Sequence, residues 1–346
     1  MDADRWVVTG LDTGGSTINA TVLDSAGTFL VEEMAESPSF VQEGPDKAID
    51  AMACALDDVL GLVGLPRGEV RAVGLDTPGP VSANGVLSSQ GSTNFANPEW
   101  RGFDVRQALE LRVGLPVVFN NDANAAALYG HHAHFGTEAA RQRSSVSVIV
   151  GTGLGGGVVE AGQVIRGAAG MAGELGHIWI PMDGLLGPDQ PIPVCNCGLS
   201  GDAESIASLT GIEKNLLPYW LTRFPGHELA DRPAHVAAKL VRGHGEAGDP
   251  LALKIFEQQA MAIGRLLTIA ANFTDPDVYL LGGGVVEAAP HFRDWFLGRV
   301  RAHTVLRAEQ AHAASIALVP DLDMAGARGS AIAARAAVMA AATRAS

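Results

Sequence analysis

The chain has 346 residues, of which 47% are hydrophobic and 18% charged, so it can bury a large core, and we expect two domains. Its formal net charge of −14 disfavours binding to nucleic acid or to an anionic lipid surface, and no basic patch offsets that charge. The apolar stretches fall well short of the ~20 residues that span a bilayer, the first residues lack a basic leader, and three cysteines are too few for a disulfide scaffold. We therefore expect a cytoplasmic protein that binds neither nucleic acid nor membrane.

The first third of the chain predicts a mixed α/β unit. Alternating and β-branched residues predict three strands, in WVVTGLDTGG, STINATVLD and TFLVEEM. Pro45 then opens a helix whose apolar residues recur every three or four positions, and we expect Cys54 on its buried face. The strands VRAVGLDT and PVVFN and the alanine-rich helix NDANAAALYGHHAHF complete this unit.

A second unit begins in the same order, with a strand, a glycine turn and a strand in SVSVIVGTGLGGGVVEAGQVIRG. Helices are predicted from Asp202 to Phe273. The strand DVYLL, a helix from about Val286 to Ala302, the strand SIALV and an alanine-rich helix follow. The two units share this pattern without sequence identity, which favours two α/β domains with a ligand cleft between them.

Three glycine clusters follow predicted strands, at Gly14–Gly15, Gly151–Gly157 and Gly282–Gly284. Backbone N–H groups converge at such turns and commonly bind phosphate. The middle cluster contains G-x-G-x-x-G, but a strand follows it instead of the helix that a dinucleotide fingerprint requires, and the sequence has no Walker loop. Each cluster alone is equally well explained as a tight hairpin turn, whereas three together favour phosphate. Asp12, beside the first cluster, offers an oxygen suited to Mg²⁺ through water.

Several polar residues could serve catalysis or ligand binding. Asp122 follows the strand PVVFN at the start of a helix, where it is either a catalytic base or an ordinary helix cap. Glu174 and His177 stand three apart, a spacing that aligns them on one side of a turn. The polar candidates for hydrogen bonds to a ligand are Asn94, Asn121, Glu174, His177 and Glu204. Taken alone, each of them is more simply explained as a solvated surface group.

With these motifs assembled, the chain resembles the ROK family of bacterial sugar kinases and repressors. The resemblance covers nearly the whole chain and rests on LDTGGSTINATVLD, LDTPGPV, NNDANAAAL, VGTGLGGGVV, RGAAGMAGELGHI, CNCGLSGDAES and LLGGGV, in that order. It implies an α/β, two-domain actin-like ATPase fold of the ribonuclease H-like type, with an interdomain cleft. We expect a small domain of residues 1–121 with 329–346, and a large domain of residues 122–328.

The resemblance also implies a role for each motif. The first two glycine turns would hold ATP phosphates and the third, through Gly283, would border the adenosine. The phosphate-binding positions are Asp12, Gly14, Gly15, Ser16, Gly151, Thr152 and Gly153. Ser16 replaces the family's usual threonine and keeps the hydroxyl. The sugar contacts are Asn94, Asn121, Asp122, Glu174, His177 and Glu204, with Asp122 as the catalytic base.

Cys195 and Cys197 are two soft ligands one residue apart, and His177 would be a third ligand of a tetrahedral Zn²⁺ site. The ROK pattern is C-x-C-G-x-x-G-C-x-E, whereas this chain has CNCGLSGDAE, so Asp202 stands where the third cysteine is expected. Aspartate oxygen also ligates zinc. A structural zinc would fix the loop that carries His177 and Glu204. The alternative is two reduced, buried cysteines with Asp202 capping the helix that it begins.

The resemblance predicts an ATP-dependent hexose kinase that uses Mg²⁺ and phosphorylates the 6-hydroxyl of a sugar, with glucose as the leading substrate. One alternative is an N-acetylhexosamine kinase, and another is a sugar-responsive transcriptional regulator or sensor. A regulator needs a DNA-binding module and a basic face, which the charge of −14 and the early strand at Trp6 disfavour. We expect the sugar and ATP as partners, and a homodimer or homotetramer.

Overall fold

The computed structural model describes residues 6–33, 35–79, 81–89, 94–284, 287–320 and 322–345. Its strands are β1 Val7–Thr13, β2 Thr17–Asp24, β3 Ala35–Pro38, β4 Val70–Thr77, β5 Val117–Asn121, β6 Ser145–Val150, β7 Leu154–Glu160, β8 Gln163–Val164, β9 Val278–Gly283 and β10 Ser315–Leu318. Its helices are α1 Pro45–Leu62, α2 Val105–Val113, α3 Asp122–Phe135, α4 Glu204–Ala207, α5 Leu209–Gly211, α6 Leu217–Arg223, α7 Ala234–Glu246, α8 Pro250–Thr274, α9 Pro290–His303, α10 Ala308–Ala313 and α11 Leu322–Ala345. The predicted α/β organisation is confirmed. Among the described helices, none combines the length and the apolar character needed to cross a membrane.

The chain forms two compact units. The first consists of Met1–Arg143, Gly157–Gly173 and Pro320–Ser346, and the second of Ser144–Gly156 and Glu174–Val319. The domain ranges expected from the sequence, 1–121 with 329–346 and 122–328, stay a prediction.

The first sheet has the strand order β3-β2-β1-β4-β5. Strands β1, β4 and β5 run parallel, and their register places Asp12 beside Asp76 and Asp76 beside Asn120. Helix α1 packs against β1 and β2, with Met52 and Leu56 in the core, whereas α11 packs against β1, β4 and α3. Because side chains alternate along a strand, Leu11 faces the α1 core while its neighbour Gly10 faces α11.

Glycines allow α11 to approach the first sheet and α3 at backbone distance. A Cβ atom at Gly10 would lie 1.9 Å from the carbonyl oxygen of Ala327, and one at Gly74 would lie 2.0 Å from that of Ser330. On the helix itself, a Cβ at Gly329 would lie 1.8 Å from the carbonyl oxygen of Ala125. These glycines therefore serve helix packing and not a ligand.

The second sheet has the order β10-β9-β6-β7-β8, in which β6, β9 and β10 run parallel. The long helix α8 begins as the sequence predicts, since Oδ1 of Asp249 accepts a hydrogen bond from the N–H of Ala252 at 2.9 Å and Pro250 occupies the first turn. Helix α9 packs against α8.

Three local predictions need correction or fall outside the described residues. The predicted strand TFLVEEM is wrong for residues 28–33, because Phe29 makes only an isolated bridge to Leu23, and the strand that pairs with β2 on the side away from β1 is β3. Met34, its last residue, lies outside the described residues. Cys54 is exposed and not in the core, since α1 turns Met52 and Leu56 inward and leaves the position between them toward solvent. Val286, the expected start of a helix, lies outside the described residues, and α9 begins at Pro290.

We expect Gly329→Ala to lower the free energy of unfolding by about 2 kcal/mol or more, because the added methyl group overlaps the backbone of α3. Gly61→Ala is the matched control: it lies near the end of α1, where a Cβ meets nothing within 4 Å, and should leave stability unchanged or raise it by about 0.5–1 kcal/mol. Urea unfolding followed by circular dichroism measures both. Equal stability of the two variants would contradict this close packing.

Candidate active site

The first glycine turn joins β1 and β2. The N–H of Gly14 donates to the carbonyl oxygen of Thr17 at 2.8 Å, and Ser16 is exposed. Gly15 lies against Asn94, because a Cβ at Gly15 would be 3.6 Å from both Cβ and Oδ1 of that asparagine. The structure thus brings the predicted phosphate residues of this turn and the predicted sugar ligand Asn94 together within the first unit.

Two carboxyl groups meet at the carboxyl ends of β1 and β4. The Asp76 side chain is fully buried, and its Oδ2 accepts a hydrogen bond from Oγ of Ser330 at 2.7 Å. Burial raises the pKa of Asp76 well above its usual value, and the charges of Asp12 and Asp122 raise it further. Burial also raises the pKa of Asp12, although hydrogen bonds with Asp76 and Asn19 oppose that rise.

We expect Asp76 to carry a proton in this pair. Its Oδ1 is buried and finds no donor among the described groups, and its neighbour is the carboxyl group of Asp12. When Asp76 is protonated, it donates a hydrogen bond to Asp12, so the two groups share one negative charge. No local pattern singles out Asp76, although the motif LDTPGPV places it at the end of a strand.

Asn121 and Asp122 lie where β5 passes into α3. The cap of this helix is Asn121, whose Oδ1 accepts hydrogen bonds from the N–H groups of Ala123 at 3.0 Å and of Asn124 at 3.3 Å. Asp122 is the first helical residue, and its Oδ1 accepts from the N–H of Ala123 at 2.7 Å. Because Oδ1 of Asn121 is engaged, its Nδ2 is the atom available as a donor. The positive end of α3 favours a negative charge at Asp122.

A small polar cavity adjoins Asn121. Its volume of about 10 Å³ holds roughly one water molecule, and it is lined in part by Asn120, Asn121, Asn124 and Arg166. Nη2 of Arg166 donates to Oδ1 of Asn120 at 2.8 Å, and burial lowers the pKa of this guanidinium. Arg166 opens the motif RGAAGMAGELGHI, in which no local pattern predicts its contact with Asn120.

The second and third glycine turns are neighbours in the second unit. They follow β6 and β9, which are adjacent parallel strands. Gly283 has a φ of 98°, and a Cβ there would lie 1.9 Å from the carbonyl oxygen of Val150. The N–H of Gly151 donates to the carbonyl oxygen of Gly153 at 2.9 Å, which closes the second turn.

Glu174, His177 and Glu204 form an electrostatic cluster in the second unit. Glu174 precedes a 3-10 turn, Leu175–His177, and Glu204 begins α4. Burial raises the pKa of Glu174, while His177 lowers it and Glu204 raises it. The structure therefore brings these three predicted sugar ligands near one another.

The four predicted zinc ligands converge in the same unit. Nδ1 of His177 lies 3.3 Å from Oδ2 of Asp202, 3.9 Å from Sγ of Cys195 and 3.6 Å from Sγ of Cys197. Sγ of Cys197 lies 3.8 Å from the same Asp202 oxygen. Zinc bonds of about 2.0–2.3 Å in a tetrahedron place ligand atoms roughly 3.3–3.8 Å apart, so the donor set fits this ion in both type and spacing.

The loop between His177 and Cys195 is anchored at several points. Arg265 of α8 donates to the carbonyl oxygens of Pro181 and Asp183, and Nε2 of Gln258 donates to that of Leu185 at 2.9 Å. The hairpin itself closes through a 2.8 Å hydrogen bond from the N–H of Cys195 to the carbonyl oxygen of Leu199.

A second cluster of side chains that could ligate a metal consists of His227, His244 and Asp249. Unlike the first cluster, it is held together by hydrogen bonds of a histidine ring. Nδ1 of His227 accepts from the N–H of Leu229 at 3.2 Å, so a neutral ring carries its proton on Nε2, which lies 3.1 Å from Oδ2 of Asp249. A metal would have to displace that proton. The cluster is therefore a hydrogen-bonded support for the start of α8.

The sequence is similar to those of known sugar kinases over most of its length. Residues 8–337 match the ROK family model. A glucokinase of Halalkalibacterium halodurans is 32% identical over 309 residues, covering 86% of this chain and 88% of the relative. An N-acetyl-D-glucosamine kinase of Erwinia tasmaniensis is 31% identical over 284 residues, covering 80% of this chain and 83% of the relative.

Solved structures extend the likeness to the fold. A ROK hexokinase from Thermus thermophilus superposes with a TM-score of 0.75 at 31% identity and covers 96% of this chain and 99% of its own. A ROK family glucokinase from Streptomyces griseus, in complex with glucose and AMPPNP, superposes with a TM-score of 0.67 at 29% identity and covers 95% and 99%. The expected two-domain actin-like ATPase fold is confirmed.

We expect Asp76→Asn to flatten the fall of stability with rising pH. A carboxyl group whose pKa is raised by folding stabilises the folded state least at high pH, where the unfolded chain ionises freely and the buried group resists ionisation. Asparagine keeps a donor toward Asp12 and an acceptor for Ser330 without a titrating proton. The variant should match the wild type near pH 4 and exceed it by about 1 kcal/mol or more at pH 8.

Urea unfolding across this pH range measures the effect. Asp58→Asn, on the exposed side of α1, is the control and should give a profile parallel to that of the wild type. An Asp76→Asn profile that is also parallel to the wild type would contradict a proton shared between Asp12 and Asp76.

Proposed function

The chain belongs to the ROK family, and on this premise we propose that it is an ATP-dependent hexose kinase whose leading substrate is glucose. The observation that carries this proposal is the 32% identity to a glucokinase over 86% of the chain. The Streptomyces griseus structure with glucose and AMPPNP supports both substrates. The reaction would transfer the γ-phosphoryl group of Mg²⁺·ATP to the 6-hydroxyl of the sugar.

Asp122 would accept the proton of the attacking hydroxyl. It stands at the start of α3 beside Asn121, whose Nδ2 would donate to a sugar oxygen. Asn94, Glu174, His177 and Glu204 would complete the sugar contacts. Nδ1 of His177 lies within the metal cluster, so Nε2 is the nitrogen that would face a hydroxyl.

The glycine turns would hold the nucleotide. Asp12, Gly14, Gly15 and Ser16 would act in the first unit, and Gly151, Thr152, Gly153 and Gly283 in the second. Mg²⁺ bound with ATP neutralises charge on the phosphoryl group during transfer. The buried proton of Asp76 would limit Asp12 to a single negative charge shared by the pair, which reduces repulsion of the phosphates.

We further propose a structural zinc held by His177, Cys195, Cys197 and Asp202, whose distances and donor types fit it. Burial raises the pKa of the Cys195 thiol, whereas zinc binding requires its thiolate. The metal would tie the Cys195 hairpin to the turn that bears His177. A cytoplasmic location and a homodimer or homotetramer remain parts of the proposal.

An N-acetylhexosamine kinase is the second candidate, because the Erwinia tasmaniensis enzyme is 31% identical. A coupled assay of ADP release across hexoses and N-acetylhexosamines distinguishes the two. We expect the highest kcat/KM with glucose. A higher value with an N-acetylhexosamine would replace glucose as the substrate, and no turnover with any sugar would favour a sensor.

Asp122→Asn should lower kcat by about 10²–10⁴-fold while sugar affinity stays nearly unchanged, because an amide still hydrogen-bonds the hydroxyl but cannot accept its proton. Steady-state kinetics and sugar titration measure both quantities. Asp104→Asn, at the cap of α2, controls for loss of a carboxylate near a helix start. A kcat within a few-fold of the wild type would remove Asp122 from the role of base.

Purified protein should contain about one zinc per chain, and Asp202→Cys should retain it at least as well against a chelator, because the change adds a thiolate ligand. Asp183→Cys is the control, since it adds a thiol on the exposed part of the same loop. Metal analysis by mass spectrometry provides the measurement. Zinc-free protein with full stability and activity would refute the site.

A further inference from the structure

Glu204 contacts the second glycine turn directly. Its Oε2 accepts a hydrogen bond from the N–H of Leu154 at 2.8 Å, and its Oε1 accepts one from Sγ of Cys195 at 3.2 Å. The carboxylate thus contacts both the end of the turn and the cysteine hairpin, and all three residues belong to the second unit. The bond from Cys195 requires its thiol proton and would be lost if that sulfur bound zinc as a thiolate, whereas the bond from Leu154 would remain.

Two glycines make room for this contact. A Cβ at Gly153 would lie 2.6 Å from Oε2 of Glu204, so a larger residue would push the carboxylate away. A Cβ at Gly176 would lie 2.3 Å from the carbonyl oxygen of Leu154 and 3.3 Å from Cβ of Glu204. The backbone on both sides is therefore shaped to admit Glu204.

The start of α5 holds the other side of the same turn. The N–H of Leu209 donates to the carbonyl oxygen of Gly151 at 3.0 Å. The carbonyl oxygen of Thr152 accepts from both the N–H of Thr210 at 3.1 Å and its Oγ1 at 2.8 Å. Residues 204–210 consequently hold the turn at both of its ends.

These bonds determine where the remaining donors of the turn point. In a planar trans peptide, the C=O of one residue and the N–H of the next point in opposite directions. Because α5 holds the carbonyl oxygens of Gly151 and Thr152, the N–H groups of Thr152 and Gly153 point away from α5. Donors oriented in this way form an anion-binding turn.

Electrostatics make Glu204 an unexpected neighbour of such a turn. A carboxylate repels a phosphate group, so its position beside Gly153 needs a compensating gain. Fixing the turn through Leu154 supplies that gain, since a hydrogen bond to a charged acceptor is stronger than a neutral one.

We propose that Glu204 is a positioning residue for the nucleotide, and that with Thr210 it fixes the turn Gly151–Leu154 so that the N–H groups of Thr152 and Gly153 face an ATP phosphate. This role rests on the proposed kinase function. It differs from the sugar contact that the family resemblance implies for Glu204, because it acts before any sugar is bound.

Isothermal titration with Mg²⁺·ADP in the absence of sugar tests the proposal. Glu204→Ala should weaken ADP binding about tenfold or more, because it removes the charged acceptor of Leu154. Glu204→Gln should stay within about threefold of the wild type, since its amide oxygen still accepts that bond. Thr210→Val, which loses only the Oγ1 bond, should weaken ADP binding about fivefold and leave glucose affinity unchanged.

Glu309→Ala is the matched control, as it removes an exposed glutamate from the first turn of another helix in the same unit and should not change ADP affinity. Thermal unfolding of each variant verifies the fold, and if Glu204→Ala fails to fold, Thr210→Val decides. The proposal is overturned if Glu204→Ala or Thr210→Val binds ADP within twofold of the wild type, including the case in which only glucose affinity falls. A wild-type protein that binds neither ADP nor any hexose would instead overturn the kinase assignment itself.

Discussion

Close approach of backbone to backbone, possible only where a side chain is absent, is the constraint on which the first unit depends. Helix α11 rests on β1 and β4 at glycines, and a Cβ at Gly326 of this helix would lie 2.6 Å from the carboxyl group of Asp12. The same approach brings Ser330 to Asp76. Packing of a helix thus creates the buried environment that raises the pKa of two carboxyl groups beside the first glycine turn.

The second unit also depends on close approach at glycines, but there the glycines lie in turns and not beneath a packed helix. There, glycines admit a carbonyl oxygen or a carboxylate: Gly283 lies against Val150, and Gly153 lies against Glu204. The turns that follow β6 and β9 therefore owe their shape to neighbours that are distant in sequence. In both units, the glycines at these contacts let a backbone or carboxylate oxygen approach where a side chain would not fit.

Local patterns predicted much of this architecture, and long-range contacts account for what they missed. Asp249 and Pro250 predict the start of α8, because a helix cap and a first-turn proline depend only on residues within about four positions in the sequence. The pairing of Asp76 with Asp12 could not be predicted from local patterns, because it depends on the register between two strands that are distant in sequence. Arg166 meets Asn120 through a contact 46 residues apart, which no periodicity reveals. Three of the proposed zinc ligands, Cys195, Cys197 and Asp202, can be predicted from the sequence because they lie within the single motif CNCGLSGDAE.

The position of α11 in the chain has a consequence for biosynthesis. This helix completes the first unit, yet about 180 residues separate it from Arg143, where the longest segment of that unit ends. At roughly 5–20 residues per second, a ribosome needs about 10–35 s to bridge that interval. During this time the nascent first sheet keeps the face of Gly10 and Gly74 open to solvent, and the second unit is made in between. Folding of the first unit is thereby delayed until after synthesis of the second.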